Sequence, residues 1–255
     1  MILAGSLEYA LSRLHARLSR RLDPAAWSGI ERSRETGPVL DLVRGTNLAP
    51  LAGPLAAVPD LHGLDRACRD AWRALLGDAC RWMPASWYPA IAWCGALACL
   101  PALGHLAGGE AVPAWMASDP DLAAVAKASP EERRAVLAQG PLAPFAAAWP
   151  DRSRLGTAWL VEWRRRLPRG EFAGTALEEF TGLVAGHLAR LADPQVPASA
   201  RHDEAFDAAV TRRLRRHPLE PTAVFAWLAL GALDIQRLRG EMARRIALPL
   251  ARPVP

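Results

Sequence analysis

Pro221-Thr-Ala-Val-Phe-Ala-Trp-Leu-Ala-Leu-Gly-Ala-Leu-Asp-Ile-Gln-Arg-Leu-Arg239 reads as one long helix near the end of the chain. Pro221 suits a first helical turn, where its missing N–H leaves no intrahelical bond unmade. Leu228, Ile235, Leu238, Met242 and Ile246 recur at helical spacing, which predicts a buried stripe. Gly231 and Ala232 lie on that stripe and are small enough to let another helix approach closely. Asp234, Arg237, Arg239 and Glu241 place charge along the second half.

The same periodicity runs outward through the chain. Leu7, Leu11, Leu14, Leu18 and Leu22 form a stripe over 5–22, with Arg13, Arg17, Arg20 and Arg21 off it. Asp23-Pro24 is a cap followed by a first-turn proline and predicts a short helix over 24–34. Gly37-Pro38 reads as a break, Val39 to Val43 as one short turn of helix, and Asn47 to Pro59 as loop. A helix over 61–81 turns Leu64, Cys68, Trp72, Leu75 and Leu76 inward. Asp119-Pro120 and Ser129-Pro130-Glu131-Glu132 are helix starts. Asp151 opens a longer helix with Leu155, Trp159, Trp163 and Leu167 in register. Further helices cover 174–192 and 200–216, separated by a turn at Asp193-Pro194 to Pro197. No stretch alternates with period two, so the expected fold is all-α.

From Trp82 to Gly109 the chain has 28 residues without Asp, Glu, Lys or Arg. That length could span a bilayer. Pro84, Pro89 and Pro101 divide the run, and Ala and Gly outnumber large aliphatics. The reading is a buried helix over 89–106, broken near Pro101; a membrane-inserted segment is the alternative.

Three corners share one arrangement. Arg20-Arg21-Leu22-Asp23-Pro24 precedes Trp27, Arg81-Trp82-Met83-Pro84 precedes Trp87, and Arg165-Arg166-Leu167-Pro168 precedes Phe172. Basic residues suit a helix C-terminus, proline ends one helix and starts the next, and the aromatic can fold back on the junction. The copies lie 61 and 84 residues apart. They are either a faint internal repeat or corners of a kind common to helical proteins.

Apolar residues make up 51% of the 255, enough for a sizeable core in one large domain or two small ones. Ten Trp accompany only five Phe and two Tyr, so Trp carries the aromatic packing. The net charge of +5 permits an anionic partner, but the arginines are spread beside acidic residues and form no nucleic-acid arm. Cys68, Cys80, Cys94 and Cys99 form no C-x-x-C pair and have apolar neighbours, so free buried thiols in a reducing compartment are expected. The N-terminus shows no signal-peptide pattern.

No catalytic constellation emerges. His15, His62, His105, His187, His202 and His217 are scattered, and no H-E-x-x-H, G-x-S-x-G, P-loop or dinucleotide glycine pattern occurs. His202-Asp203-Glu204 reads as a helix start, Asp60-Leu61-His62 as a cap followed by a solvent-facing His. Glu178-Glu179 and His187 lack the Glu-x-x-His spacing of carboxylate metal bundles. No catalytic group, cofactor, metal or small-molecule substrate is expected.

The helix over 221–239 is similar to the C-terminal signature of the V-type ATPase central-stalk connector family, whose members occur in bacterial, archaeal and eukaryotic enzymes. Trp227-Leu228 stands for that signature's aromatic-Leu, Asp234-Ile235 for its Glu-Ile, and Leu238-Arg239 for its Leu-Arg. Gly231 and Ala232 depart from its Lys/Arg-Glu, and Arg237 from its Asn. Tyr9-Ala10, Arg13-Leu14 and Ala16-Arg17 resemble the family's start. The resemblance implies an all-helical, three-lobed, funnel-shaped body, with lobes about 1–60, 61–150 and 151–255. It implies a non-catalytic connector on the cytoplasmic side, peripheral to the membrane, joining a rotary shaft to the ion-translocating ring. Tyr9, Arg13, Arg17, Trp227, Asp234, Arg237 and Arg239 are then the candidates for partner binding. The alternatives are a stand-alone helical adaptor for a protein or membrane partner, and a helical enzyme or ligand-binding bundle using 82–109 as a pocket wall.

Overall fold

A computed structural model of the chain describes residues 6–58, 60–168, 175–192 and 200–247. Among these residues the chain forms helices, short 3-10 segments and connections, with no strand. The fold is all-α, as the periodicities predict. It divides into two compact units: Met1–Met83 together with Leu214–Pro255, and Pro84–Arg213. Phe172, the turn at 193–197 and the side chains of His202 and Asp203 lie outside the described residues.

In the first unit, α1 (Leu7–Leu18) starts where the Ser6 hydroxyl accepts from the Tyr9 N–H at 3.2 Å. α2 (Pro24–Arg32) starts at Asp23, whose carboxylate accepts from the Ala26 N–H at 2.7 Å, with Pro24 in the first turn. α3 (Thr36–Arg44) is longer than expected. Gly37-Pro38 does not break it, because Pro38 falls in the first turn, where no intrahelical donor is required. α4 (Ala49–Ala56) replaces the expected loop. Pro50 again occupies the first turn, and burial of Leu51, Ala52 and Leu55 holds the short helix despite Pro54 inside it. α5 (Leu61–Trp82) is capped by Asp60 through the Gly63 N–H at 2.7 Å and buries Leu64, Cys68, Trp72, Leu76, Ala79 and Trp82.

The second unit begins with the uncharged run. It is not one helix but α6 (Tyr88–Trp93), a 3-10 segment (Cys94–Cys99) and α7 (Leu100–Ala107). Pro101 sits in the first turn of α7 and has no N–H for the Leu97 carbonyl, so the α ladder restarts there. Gly109, at φ +71°, makes the left-handed exit. Ala85–Ala107 is long and apolar enough to cross a membrane by length and composition alone. In the unit it buries Ile91, Trp93, Leu103 and Leu106. The proline-rich stretch forms two short helices, α8 (Ala123–Lys127) and α9 (Arg133–Gln139). The Glu132 carboxylate receives both the N–H and the hydroxyl of Ser129, bracing the turn that enters α9. α10 (Arg152–Arg166) is the unit's hub, packing on α6, α7 and α11 (Thr175–Ala192). α12 (Ala200–Arg216) follows, and its last turn belongs to the first unit.

α13 (Thr222–Ala247) holds the signature stretch. It packs chiefly on α5 and also on α1. The single predicted stripe understates its burial: from Thr222 to Ile235 nearly every residue is inside. This is the pattern of a core helix rather than a surface one. Gly231 makes the close approach to α5 that its size allows, since a Cβ there would lie 2.6 Å from Leu75 Cδ2.

Candidate functional site

Asp234 lies at the centre of the first unit's polar core. Its two carboxylate oxygens receive the Arg21 Nε and one terminal nitrogen, each at 2.8 Å, and Asn47 Nδ2 at 3.2 Å. The Asp234 side chain is 3% exposed and that of Arg21 20%. Arg21 follows α1, Asn47 precedes α4, and Asp234 is mid-α13, so one carboxylate ties three distant segments. A buried carboxylate needs such a set, because an unpaired charge in the core is costly.

Nearby, Trp82 and Trp227 pack with ring centroids 5.4 Å apart. The Arg13 and Arg17 guanidinium groups, one helical turn apart on α1, lie 5.6 and 5.9 Å from the Trp82 ring centre. Arg17 also pairs with Asp78 at 3.3 Å, and Arg81 holds the other Asp78 oxygen. Beside these groups a cavity of about 50 Å³ opens toward solvent. Arg17, Asn47, Asp78, Leu75, Trp227 and Gly231 are among its lining residues. It can hold a water or two, or the tip of one side chain, and is far smaller than a substrate pocket. Asn47 Oδ1 is buried there without a hydrogen-bond partner.

The second half of α13 grips α2 and α5. Arg237 pairs with Glu31 at 2.5 Å and lies 4.5 Å over Trp27. Arg239 pairs with Asp65 at 2.5 Å. Arg245 donates to the Ile30 and Ser33 carbonyls and to Glu241, and Arg244 to the Glu31 carbonyl. Those carbonyls end α2, where a helix lacks donors of its own. Burial works against ionising Glu241, yet the hydrogen bonds from Arg244 and Arg245 outweigh it and hold its carboxyl below the usual range.

Of the sequence candidates, Arg13, Arg17 and Trp227 therefore meet around Trp82. Asp234, Arg237 and Arg239 make separate contacts within the same unit. Trp227 and Asp234 are buried, Tyr9 is half-buried on α1, and Arg13 is exposed. Sequence reasoning missed Arg21, Asn47, Trp82, Asp78 and Arg245 as members of these clusters. The only signal for Arg21 and Trp82 was their place in the Arg–Pro–aromatic corners. In those corners Trp27 and Trp87 are buried, while the arginines have different partners.

The second unit holds two further charged clusters. Glu162 is pulled down to about 2 by its hydrogen bonds from Arg165, and further by Arg166, which together outweigh the cost of burial. Arg152 and His105 flank Glu110 at 2.6 and 2.9 Å on the surface. His187 stacks on Phe206 at 3.9 Å. His62 is exposed beside the Asp60 cap. Burial pushes the Cys68 thiol up to about 11. Among the described residues no three His, Cys, Asp or Glu side chains group to hold a metal. Comparisons with protein-family models, curated proteins and solved structures found no match.

Proposed function

We propose that this chain is a non-catalytic connector in a rotary ATPase of the V type, joining the shaft to the membrane ion-translocating ring. One observation supports the reading above the others. The two segments that resemble the connector family, 7–22 and 219–246, are far apart in sequence yet pack in one unit, and the Arg21–Asp234 pair pins them together. Such closure adds stiffness to a helical body, which suits a torque-bearing connector. The three-lobed funnel, the cytoplasmic peripheral location, and shaft and ring proteins as partners belong to the same proposal.

The test is co-purification of the tagged full chain from detergent-solubilised membranes of its own host, with mass spectrometry of what it carries. The expected result is recovery with rotor-ring and shaft proteins, and loss of ATP-driven ion pumping in a deletion strain. Recovery with an unrelated protein, with ion pumping intact in the deletion strain, establishes the adaptor reading instead.

A further inference from the structure

The chain's positive excess is confined to one unit. Residues 1–83 and 214–255 contain 18 arginines and 12 acidic residues, whereas residues 84–213 contain 13 basic and 14 acidic residues. Within that basic unit, charge and an apolar opening coincide at one place. Arg13, Arg17 and Arg81 gather around Trp82 and Asp78, three guanidinium groups against one carboxylate. The side chain of Arg81 is 72% exposed and that of Arg17 34%. Trp82 is fixed by its packing on Trp227, so the two guanidinium groups over it sit on a rigid support. Directly beside them is the small cavity between α1, α4, α5 and α13, walled by Leu48, Leu51, Ala74, Leu75 and Gly231. Asn47, whose Oδ1 is buried without a hydrogen-bond partner, belongs to the same wall.

We propose that this groove docks an acidic, amphipathic helix of a protein partner. A carboxylate of that helix meets Arg13, Arg17 and Arg81, and an aliphatic side chain one turn away enters the cavity. The charge surplus selects the acid, because Arg17 and Arg81 already share Asp78, Arg13 contacts the Trp82 ring, and a second carboxylate relieves the repulsion among the guanidinium groups. The cavity's size selects one aliphatic tip rather than a ring system. The groove needs no rearrangement, since Trp82, Trp227 and Gly231 are held by core packing. This deepens the connector reading by naming the chemistry of one partner surface, and rests on that reading only for the partner's identity.

The test is a display library of helical peptides selected against the full chain, followed by fluorescence anisotropy with a labelled selected peptide. The expected pool is enriched in Glu or Asp next to Leu or Ile. Its binding falls at least about tenfold in Arg13→Gln/Arg17→Gln and weakens as salt rises. Ala74→Glu, at an exposed helical position that tolerates substitution, abolishes binding by placing a carboxylate at the mouth. A pool without acidic enrichment, no selected binder, or binding indifferent to Ala74→Glu overturns the inference. The two readings separate cleanly. Co-purification with rotary-motor proteins, with no acidic helix selected by the chain, removes the groove and leaves the connector. Acidic-helix binding without rotary-motor proteins removes the connector and leaves the groove.

Discussion

Trp93 and Trp159 exchange hydrogen bonds: the Trp93 indole N–H donates to the Trp159 carbonyl at 3.0 Å, and the Trp159 indole N–H donates to the Trp93 carbonyl at 3.2 Å. Each indole is buried and must find an acceptor. Trp93 ends α6 at the change to 3-10 geometry, and Trp159 is in the middle of α10, so the exchange locks α6 to the hub of the second unit. Phe145 stacks on Trp93 at 5.4 Å, and Arg166 covers its ring at 4.6 Å. Trp159→Phe keeps most of the packing and removes one of the two bonds. The expected cost is about 1–2 kcal/mol, with a coupling to Trp93→Phe in the double variant, measured by urea unfolding.

Asp234→Asn keeps the shape of the first unit's polar core and removes its charge. The mostly buried Arg21 then loses the charge of Asp234 from its surroundings. Removing one partner of a buried pair costs about 3–5 kcal/mol, and the 20% exposure of Arg21 puts this case near or below the lower end. Arg21→Met with Asp234→Leu recovers part of that loss, because neither charge then needs a partner. Denaturation midpoints of the three proteins check both statements.

Glu162 gives the second unit an acid-sensitive element. Its carboxyl titrates at about 2 in the fold, against 4.5 when unperturbed. A group whose pKa is lowered on folding stabilises the fold fully above its unfolded pKa. That contribution is lost as pH falls from 4.5 toward 2. Glu162→Gln lacks it at every pH. The gap in unfolding midpoint between wild type and Glu162→Gln is therefore expected to be constant above about pH 5 and to close as pH falls through the range below it. A gap that does not change over that range contradicts the assignment.

At Gly231 two effects oppose each other. Alanine in the helix interior gains about 1 kcal/mol in backbone propensity. Its Cβ would meet Leu75 Cδ2 at 2.6 Å, but that methyl is the end of a flexible side chain and can turn away, with Cγ at 3.9 Å. Gly231→Ala is expected to change stability by less than about 1 kcal/mol. Gly231→Val carries added branches that Leu75 cannot clear, and loses about 2 kcal/mol or more. Thermal unfolding of the pair decides the point.

Cys68 is buried, and its thiol is raised to about 11, so at about pH 8 roughly one molecule in a thousand carries the thiolate. Iodoacetamide at that pH is expected to leave Cys68 unmodified in the folded chain and to label it fully in urea. Peptide mass mapping reads the difference.

The class of fold was legible because it rests on local chemistry. Leucine spacing, the Asp23, Asp60 and Asp151 caps and the absence of alternation are properties of short windows, and each of these caps makes its bond. The proline-rich segments were less legible. Pro38, Pro50 and Pro101 read as breaks, yet each stands in a first turn, and only the surrounding burial shows which side of a helix boundary a proline occupies. The candidate site was half visible. Arg13, Arg17, Trp227 and Asp234 stood out on resemblance, but Arg21, Asn47, Asp78 and Trp82 complete their contacts.

The one-dimensional chain thus decided that this protein would be helical and where most helices would start, since capping and periodicity act within a few residues. Tertiary structure decided that α13 is buried nearly all round through Ile235, that Gly231 closes on Leu75, and that Asp234 meets Arg21 across 213 residues. Long-range pairing of that kind depends on which surfaces exclude water together. No spacing along the sequence encodes it, because the partners become neighbours only when the helices pack.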